Sequence, residues 1–224
     1  MLNERRQRHY PFAEAPTTMK DSPSAQPAHR GSPSKAIVFG LLLLSLLALL
    51  QAPSLMPASY SWFRHTTSES AAQGVSGAWL ARLGFLLFGF ALIRMSAGLQ
   101  SKWSTYARLM HAAFGVLLVA TAAFSTRPWV PNTPYDPIED VLHSFTATAM
   151  GFAFALGVVL ALLQRGKDRL GRLLDIIAII AAVAIPLAMS SSPDWEGLIQ
   201  RVMFAIAYIW YGAELLRQPP LPAA

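Results

Sequence analysis

The sequence predicts an all-α membrane protein, a bundle of six transmembrane helices with both termini in the cytoplasm. Hydrophobic residues make up 54% of the 224 residues, and they gather in six long stretches. A bilayer core about 30 Å thick requires about 20 mostly apolar residues per helix. The stretches are too uniformly apolar for the alternating strands of a barrel, so helices are expected. The six predicted helices are 36–52, 78–98, 109–126, 141–163, 173–189 and 198–216.

The ends of the chain differ in composition from this predicted domain, 35–217. Residues 1–34 are basic and rich in Pro, Ser and Ala, which predicts a disordered cytoplasmic tail. Residues 218–224, with their prolines, are also predicted to be disordered. The first stretch is as short as that of a secretory signal. The long polar region before it favours a retained helix, and a cleaved leader is the alternative.

The loops between the stretches alternate in charge. Basic residues gather in the first tail, the second and fourth loops and the C-terminal end, which the positive-inside rule assigns to the cytoplasm. Since the formal charge of +6 is carried on one side of a membrane, we expect anionic lipid headgroups as partners and no nucleic acid. The other three loops carry the acids Glu69, Asp136, Glu139, Asp140, Asp194 and Glu196.

Several function classes are excluded or disfavoured. The chain has no cysteine, which excludes disulfides, thiolate catalysis and thiolate metal sites. No phosphate-binding glycine loop or nucleophile elbow is present. The centres of the predicted helices lack charge, which disfavours a proton-driven carrier. Asp175 and Glu214 lie near helix ends, three residues from Arg172 and Arg217, so local ion pairs are predicted.

The first outer loop, 53–77, combines aromatic and polar residues. The aromatic residues over 60–63 are typical of an anchor in the headgroup layer. His65 and Glu69 follow, four residues apart. If this segment forms a helical turn, their side chains share one face.

The third loop carries a second pair of the same kind. Asp140 and His143 lie three residues apart at the start of the fourth predicted helix, and hence on one face. Acids at this position also suit the positive end of a helix dipole, so Asp136, Glu139 and Asp140 could simply cap the helix. Both interpretations stay open.

Brought together, the two pairs would form a metal site. Two imidazoles and two carboxylates, from His65, Glu69, Asp140 and His143, could hold zinc or a similar divalent ion. Metal-bound water is a nucleophile near neutral pH, and a His–carboxylate pair can act as acid and base without metal. If the protein is an enzyme, we therefore expect a membrane-embedded metal-dependent hydrolase with Glu69 and Asp140 as candidate catalytic residues.

His111 belongs to neither pair. It opens the third predicted helix from the cytoplasmic side, and the rise of the helix from His111 to Ser125 is about 20 Å. One metal therefore cannot bind both His111 and His143. We expect His111 to bond to a neighbouring helix or to headgroups.

Four features stand in order along the chain: Ser61 and Trp62 leading into Thr67, Ser68, Glu69 and Ser70; a glycine-rich second helix; His111 with Gly115; and Asp140 with His143. In this combination the sequence resembles, over about 36–216, an uncharacterised family of prokaryotic multi-pass proteins, catalogued as domain of unknown function number nine hundred and ninety-eight. The resemblance implies a six-helix fold in the prokaryotic cytoplasmic (inner) membrane, and little about activity.

Two functions of different classes stay open. One is a small enzyme or ligand-binding protein that binds or processes a lipid-like small molecule at the outer membrane surface. The other is a non-catalytic accessory subunit or passive carrier of a membrane complex, with a protein partner or a second copy of the chain beside it.

Overall fold

The structure, a computed structural model, describes residues 33–98 and 103–217. Within these ranges it is all-helical, as predicted. The predicted disordered segments lie outside the described residues, except that Pro33 and Ser34 already belong to the first helix. The helices are α1 (Pro33–Gln51), α2 (Ala78–Gly98), α3 (Thr105–Ala123), α4 (Pro137–Gln164), α5 (Arg169–Ser191) and α6 (Glu196–Arg217), with short 3-10 turns at Ala52–Leu55 and Glu69–Ala71.

Five of the described helices, α1 to α5, are long and apolar enough to cross a membrane. This content makes the chain a multi-pass membrane protein. The sixth helix, α6, has 22 residues but is less apolar than the other five, because it carries polar residues along its length.

Helices α3, α4 and α5 each begin four residues earlier than hydropathy predicts, and each has a capping side chain, that of Asp168 for α5. The Ser104 hydroxyl accepts a hydrogen bond from the Ala107 N–H (3.2 Å) and so caps α3. The Asp136 carboxylate accepts one from the Ile138 N–H (2.8 Å) ahead of Pro137, the first residue of α4. The first turns of α3 and α4 are polar, so the onset of apolar residues marks these helices too late.

Small residues let the helices approach closely. Helix α2 packs between α1 and α3, α4 packs on α3, α5 packs on α4 and α6, and α6 returns to α1. A Cβ added to Gly89 would lie 2.6 Å from the Gly115 carbonyl oxygen, and one added to Gly115 would lie 2.8 Å from the Gly89 oxygen. Side chains larger than hydrogen therefore do not fit at this crossing of α2 and α3, where two glycines permit the close approach of the helices.

The loops divide between two ends of the bundle. Segments 52–77, 124–136 and 192–195 hydrogen-bond or ion-pair with one another or with the start of α6, and we call this the acidic end. At the other end, the basic end, Ser104 bonds to Gln164 and segment 165–168 contacts α5 and α6. Loops of opposite charge thus lie at opposite ends, whereas the side of the membrane that each end faces stays a prediction.

Candidate functional site

Gln73 joins the first acidic-end loop to the third. Its side-chain N–H groups donate to the carbonyl oxygens of Ser125 (2.7 Å) and Asp136 (3.1 Å), and its Oε1 accepts from the Asp136 N–H (2.7 Å). The Gln73 backbone N–H also donates to the Thr126 carbonyl (3.0 Å). The side chain is buried. One side-chain amide of the first loop therefore satisfies three backbone groups of the third loop, and the sequence could not show that these loops meet.

Arg201, in the first turns of α6, joins the first loop to the last helix. Its Nη1 donates to the carbonyl oxygens of Trp62 (2.8 Å) and His65 (2.9 Å), and its Nη2 donates to the Tyr60 hydroxyl (2.5 Å). The guanidinium carbon lies 4.4 Å from the Trp62 ring centroid, a cation–π contact. A Cβ on Gly197 would lie 2.2 Å from the His65 carbonyl oxygen, so the loop rests directly on the α6 backbone.

His65 and Glu69 both form hydrogen bonds to other residues of the first loop. His65 Nδ1 accepts from the Ser61 N–H (2.9 Å), which leaves the proton of the neutral ring on Nε2. Burial lowers the pKa of His65 below its usual value of 6.5. The Glu69 carboxylate accepts from the Thr66 N–H (2.6 Å), and the Thr66 hydroxyl accepts from the Glu69 N–H (3.1 Å). The chain between His65 and Glu69 is a turn, so the condition of a shared helical face is not met.

Asp140 and His143 do share one face of α4, as predicted. His143 Nδ1 donates to the Phe124 carbonyl (2.8 Å), which leaves the lone pair on Nε2. Asp140 Oδ1 accepts from the Arg127 N–H (2.8 Å) and the Thr126 hydroxyl (3.1 Å). Both side chains therefore hold the segment that follows α3.

Of the three acids at the start of α4, Asp136 caps the helix, whereas Glu139 and Asp140 contact the preceding loop. Asp136 caps α4, which confirms the capping interpretation for this residue. Glu139 lies in the first turn of α4, but its Oε1 accepts from the Ser125 N–H (2.7 Å) of the preceding loop. Glu139 and Asp140 therefore add a tertiary contact to any favourable interaction with the helix dipole.

The predicted metal ligands each have a local partner. Across residues 33–98 and 103–217, no three His, Asp or Glu side chains are grouped closely enough to hold a metal ion. His143 has the tautomer of a metal ligand, with its other nitrogen bonded to a backbone carbonyl. His65 has the opposite tautomer, with its proton on Nε2. A zinc ion shared by His65, Glu69, Asp140 and His143 stays a prediction.

A depression opens on the surface of the acidic end. Its volume is about 490 Å³. Arg82 in the first turns of α2 supplies a cation, and Asp136 and Glu139 supply anions. Arg82 donates from Nε to the Ala71 carbonyl (3.0 Å) and from Nη2 to the Ala72 carbonyl (3.1 Å), which fixes its guanidinium at the wall. The lining residues are Gln73, Gly74, Arg82, Pro134, Tyr135, Asp136 and Glu139.

The basic end contains a buried ion cluster. Asp175 of α5 is fully buried and accepts from Arg165 Nη2 (2.7 Å) and the Trp210 indole N–H (2.8 Å). The predicted partner of Asp175 was Arg172, whereas the ion pair observed is with Arg165, ten residues before Asp175.

Glu214 links this cluster to the end of α6. It pairs with Arg217 (2.9 Å), as predicted, and also with Arg165 (2.8 Å). Its second oxygen accepts from the Trp103 indole N–H (2.9 Å). Two buried carboxylates thus share one arginine, an arrangement that brings the α4–α5 loop against α6.

His111 lies next to this cluster. It is fully buried, and its Nδ1 lies 2.9 Å from the Tyr211 hydroxyl of α6, which confirms the predicted bond to a neighbouring helix. Its ring packs against Trp103 and Trp210. A Cβ on Gly157 would lie 2.6 Å from the imidazole Cε1, so glycine makes room for the ring.

Sequence reasoning missed Gln73, Arg82 and Arg201 as the residues that organise the acidic end. Each is a long polar side chain near a helix entrance, and Gln73 and Arg82 also lie beside small residues, as in the run Ala71, Ala72, Gln73 and Gly74. Such a side chain has backbone groups within reach, which is the signal that could have identified it.

A family model described as "Protein of unknown function (DUF998)" matches residues 37–216. The resemblance inferred from the sequence motifs is thereby confirmed. No curated protein and no solved structure matches the chain.

Proposed function

The chain belongs to the DUF998 family of proteins of unknown function, and on that premise we propose that it binds the polar head of a lipid-like small molecule at the acidic end. In this proposal all six helices span the cytoplasmic membrane of a prokaryote. Both termini are cytoplasmic, and the acidic end faces outward. The basic segment 165–172 then lies inside, in agreement with the positive-inside rule.

Helix α6 is long enough for this arrangement. Its 22 residues extend about 33 Å, the thickness of a bilayer core. Its polar side chains Arg201, Tyr208, Tyr211 and Glu214 all have hydrogen-bond partners in the bundle. Polar groups with such partners are tolerated in a spanning helix.

The depression at the acidic end is the observation that carries the proposal. It offers a fixed guanidinium, Arg82, and two carboxylates, Asp136 and Glu139, in one open cavity. A ligand that carries both a cation and an anion would satisfy both signs, since charge-assisted hydrogen bonds are the stronger ones. A zwitterionic headgroup, with an amine and a phosphate, is the chemistry that fits best.

The test uses Glu139→Gln, because the amide oxygen can still accept from the Ser125 N–H while the charge is lost. We expect this variant to bind short-chain phosphatidylethanolamine roughly 10- to 150-fold more weakly, the range for a hydrogen bond to a charged group. Binding of short-chain phosphatidylglycerol, which lacks the amine, should not weaken. Calorimetric titration of detergent-solubilised protein measures both affinities.

Glu69→Gln is the matched control. Glu69 is also an acid whose carboxylate accepts a backbone hydrogen bond, but it does not line the depression. Its substitution should leave both affinities unchanged. Equal loss in the two variants, or no loss in Glu139→Gln, would contradict the proposal.

Metal-dependent hydrolysis is an extension of this proposal with its own measurement. It requires a metal on His143 and its acidic neighbours, for which the His143 tautomer is suited. Elemental analysis of purified protein should then find one zinc per chain, lost in His143→Ala. Protein without stoichiometric metal would remove the hydrolase version and leave headgroup binding intact.

The accessory-subunit function has one observation in its favour. Glu69, Asp140 and His143 all bond to backbone groups of acidic-end loops, as residues with a purely structural role would do. Cross-linking in native membranes followed by purification in mild detergent should then recover a partner or a second copy. A monomer without partners would count against this function.

A further inference from the structure

The charged groups of the acidic-end depression do not neutralise one another. Arg82, Asp136 and Glu139 all line it. Across residues 33–98 and 103–217, however, no carboxylate oxygen lies within 4.0 Å of a guanidinium nitrogen of Arg82. One cation and two anions therefore share a cavity without forming ion pairs with each other. The atoms of these groups that remain available determine which ligands the depression can distinguish.

Arg82 keeps donors for an anion. An arginine has five N–H groups in a planar fork. Its bonds to the carbonyls of Ala71 and Ala72 use the Nε N–H and one Nη2 N–H. In the part of the chain that the structure describes, no hydrogen bond uses Nη1, and Nη1 is not one of the buried atoms that lack a partner. The N–H groups of Nη1 and Nη2 that remain can therefore bind two oxygens of one phosphate.

Each of the two carboxylates has one oxygen engaged and one available. Asp136 Oδ1 accepts from the Ile138 N–H (2.8 Å), and Glu139 Oε1 accepts from the Ser125 N–H (2.7 Å). Asp136 Oδ2 and Glu139 Oε2 accept no hydrogen bond from the described residues. Both oxygens can be reached, because Asp136 is an exposed residue and Glu139 Oε2 is not one of the buried atoms without a partner. The depression thus offers a ligand two carboxylate oxygens as acceptors.

We infer that the depression selects a primary ammonium over a quaternary one, and hence an ethanolamine headgroup over a choline headgroup. This inference rests on the proposed function. A primary ammonium has three N–H donors, so it can bond both carboxylate oxygens while the phosphate lies on Arg82. A trimethylammonium has the same charge but no donor, and proteins bind it in cages of aromatic rings. Tyr135 is the one aromatic residue among the described residues that line the depression, which is too few for a cage.

Successive N-methylation of the lipid tests this selectivity at constant charge. Short-chain phosphatidylethanolamine and its monomethyl, dimethyl and trimethyl derivatives differ in their number of N–H donors. Because two acceptor oxygens need only two donors, the first methyl group should change the affinity little. The second and third should each weaken binding by about 10-fold, the lower end of the range for a hydrogen bond to a charged group, because water reaches the open depression. Calorimetric titration of the full-length protein in mild detergent measures the four affinities.

Asp136→Asn should change the position of this loss in the series. The amide oxygen can still cap α4, but the amide nitrogen replaces the available acceptor with a donor. Glu139 Oε2 then needs only one N–H, so the loss should be confined to the third methyl group. Asp140→Asn is the matched control, because Asp140 also lies in the first turn of α4 and accepts the Arg127 N–H but does not line the depression. This variant should keep the wild-type profile.

Equal affinities for the four lipids would overturn the selectivity and leave headgroup binding in place, because charge alone would then explain the binding. The same profile in wild type and Asp136→Asn would also overturn it. If none of the four lipids bound, the proposed function would fail together with the inference. Glycerophosphoethanolamine and glycerophosphocholine carry the same headgroups without acyl chains. Only the ethanolamine compound should compete with the lipid, and equal competition by both would contradict recognition of the N–H groups.

Discussion

Removing the Asp175 carboxylate should be among the most destabilising single changes in this protein. Asp175 is fully buried, and Arg165, its ionic partner, has a side chain only 9% exposed. Asp175→Ala leaves the buried guanidinium with one remaining strong partner, Glu214 at 2.8 Å, and leaves the Trp210 indole N–H without an acceptor. Breaking a buried ion pair from one side costs about 3–5 kcal/mol.

Asp194→Ala is the matched comparison. Asp194 pairs with Arg64 at 2.8 Å, but their side chains are 72% and 65% exposed. The two ion pairs therefore resemble each other in geometry and differ in burial. An exposed pair contributes about 0–1 kcal/mol, so this variant should be nearly neutral.

Equilibrium unfolding in mixed dodecylmaltoside and SDS micelles, followed by circular dichroism, measures both free energies of unfolding. A loss below about 1 kcal/mol for Asp175→Ala would refute the reasoning, and so would equal losses in the two variants. Adding Arg165→Met to Asp175→Ala should cost less than the sum of the single changes, because the second change removes the unpaired buried charge.

Two further predictions concern the acidic end and its contacts with α6. Gly197→Ala should lower the free energy of unfolding by about 1–3 kcal/mol, because the new Cβ would overlap the His65 carbonyl. Gly212→Ala, with no atom within 4 Å of the new Cβ, should raise it by about 0.5–1 kcal/mol. An unchanged stability of Gly197→Ala would contradict the close contact. Burial holds the pKa of His65 below 6.5, so the unfolded chain binds more protons as pH falls below that value. The stability from the neutral ring, present above the usual pKa, should therefore be lost as the pH falls below 6.5, and His65→Gln should show a smaller pH dependence of its melting temperature. If the melting temperatures of wild type and His65→Gln changed with pH in parallel, His65 would not be the source of this pH dependence.

The order of the helices and their membrane-spanning character could be predicted, because the hydropathy of each residue indicates whether it suits the hydrocarbon core. The starts of α3 and α4 could not be predicted from hydropathy alone, since Ser104 and Asp136 cap polar first turns. Those capping residues are nonetheless visible in the sequence. A search for caps would have corrected both boundaries.

Contacts between distant segments were harder to predict. The shared face of Asp140 and His143 follows from helical spacing and is confirmed. Helical spacing also suggested Arg172 as the partner of Asp175, and this was wrong because Arg165 reaches it from the preceding loop. The bridge from Gln73 to Asp136 depends on how three helices pack, which no local pattern encodes.

The modest apolar content of α6 has a consequence for the biogenesis of this protein. Helices α1 to α5 are apolar enough for a translocon to release each of them into the bilayer. Helix α6 is less apolar, and its own hydrophobicity does not suffice for insertion. The groups that satisfy its polar side chains, among them Ser45, His111 and Arg165, belong to segments made earlier by the ribosome. In the proposed arrangement of six spans, α6 therefore inserts only after the helices that supply these partners are in place.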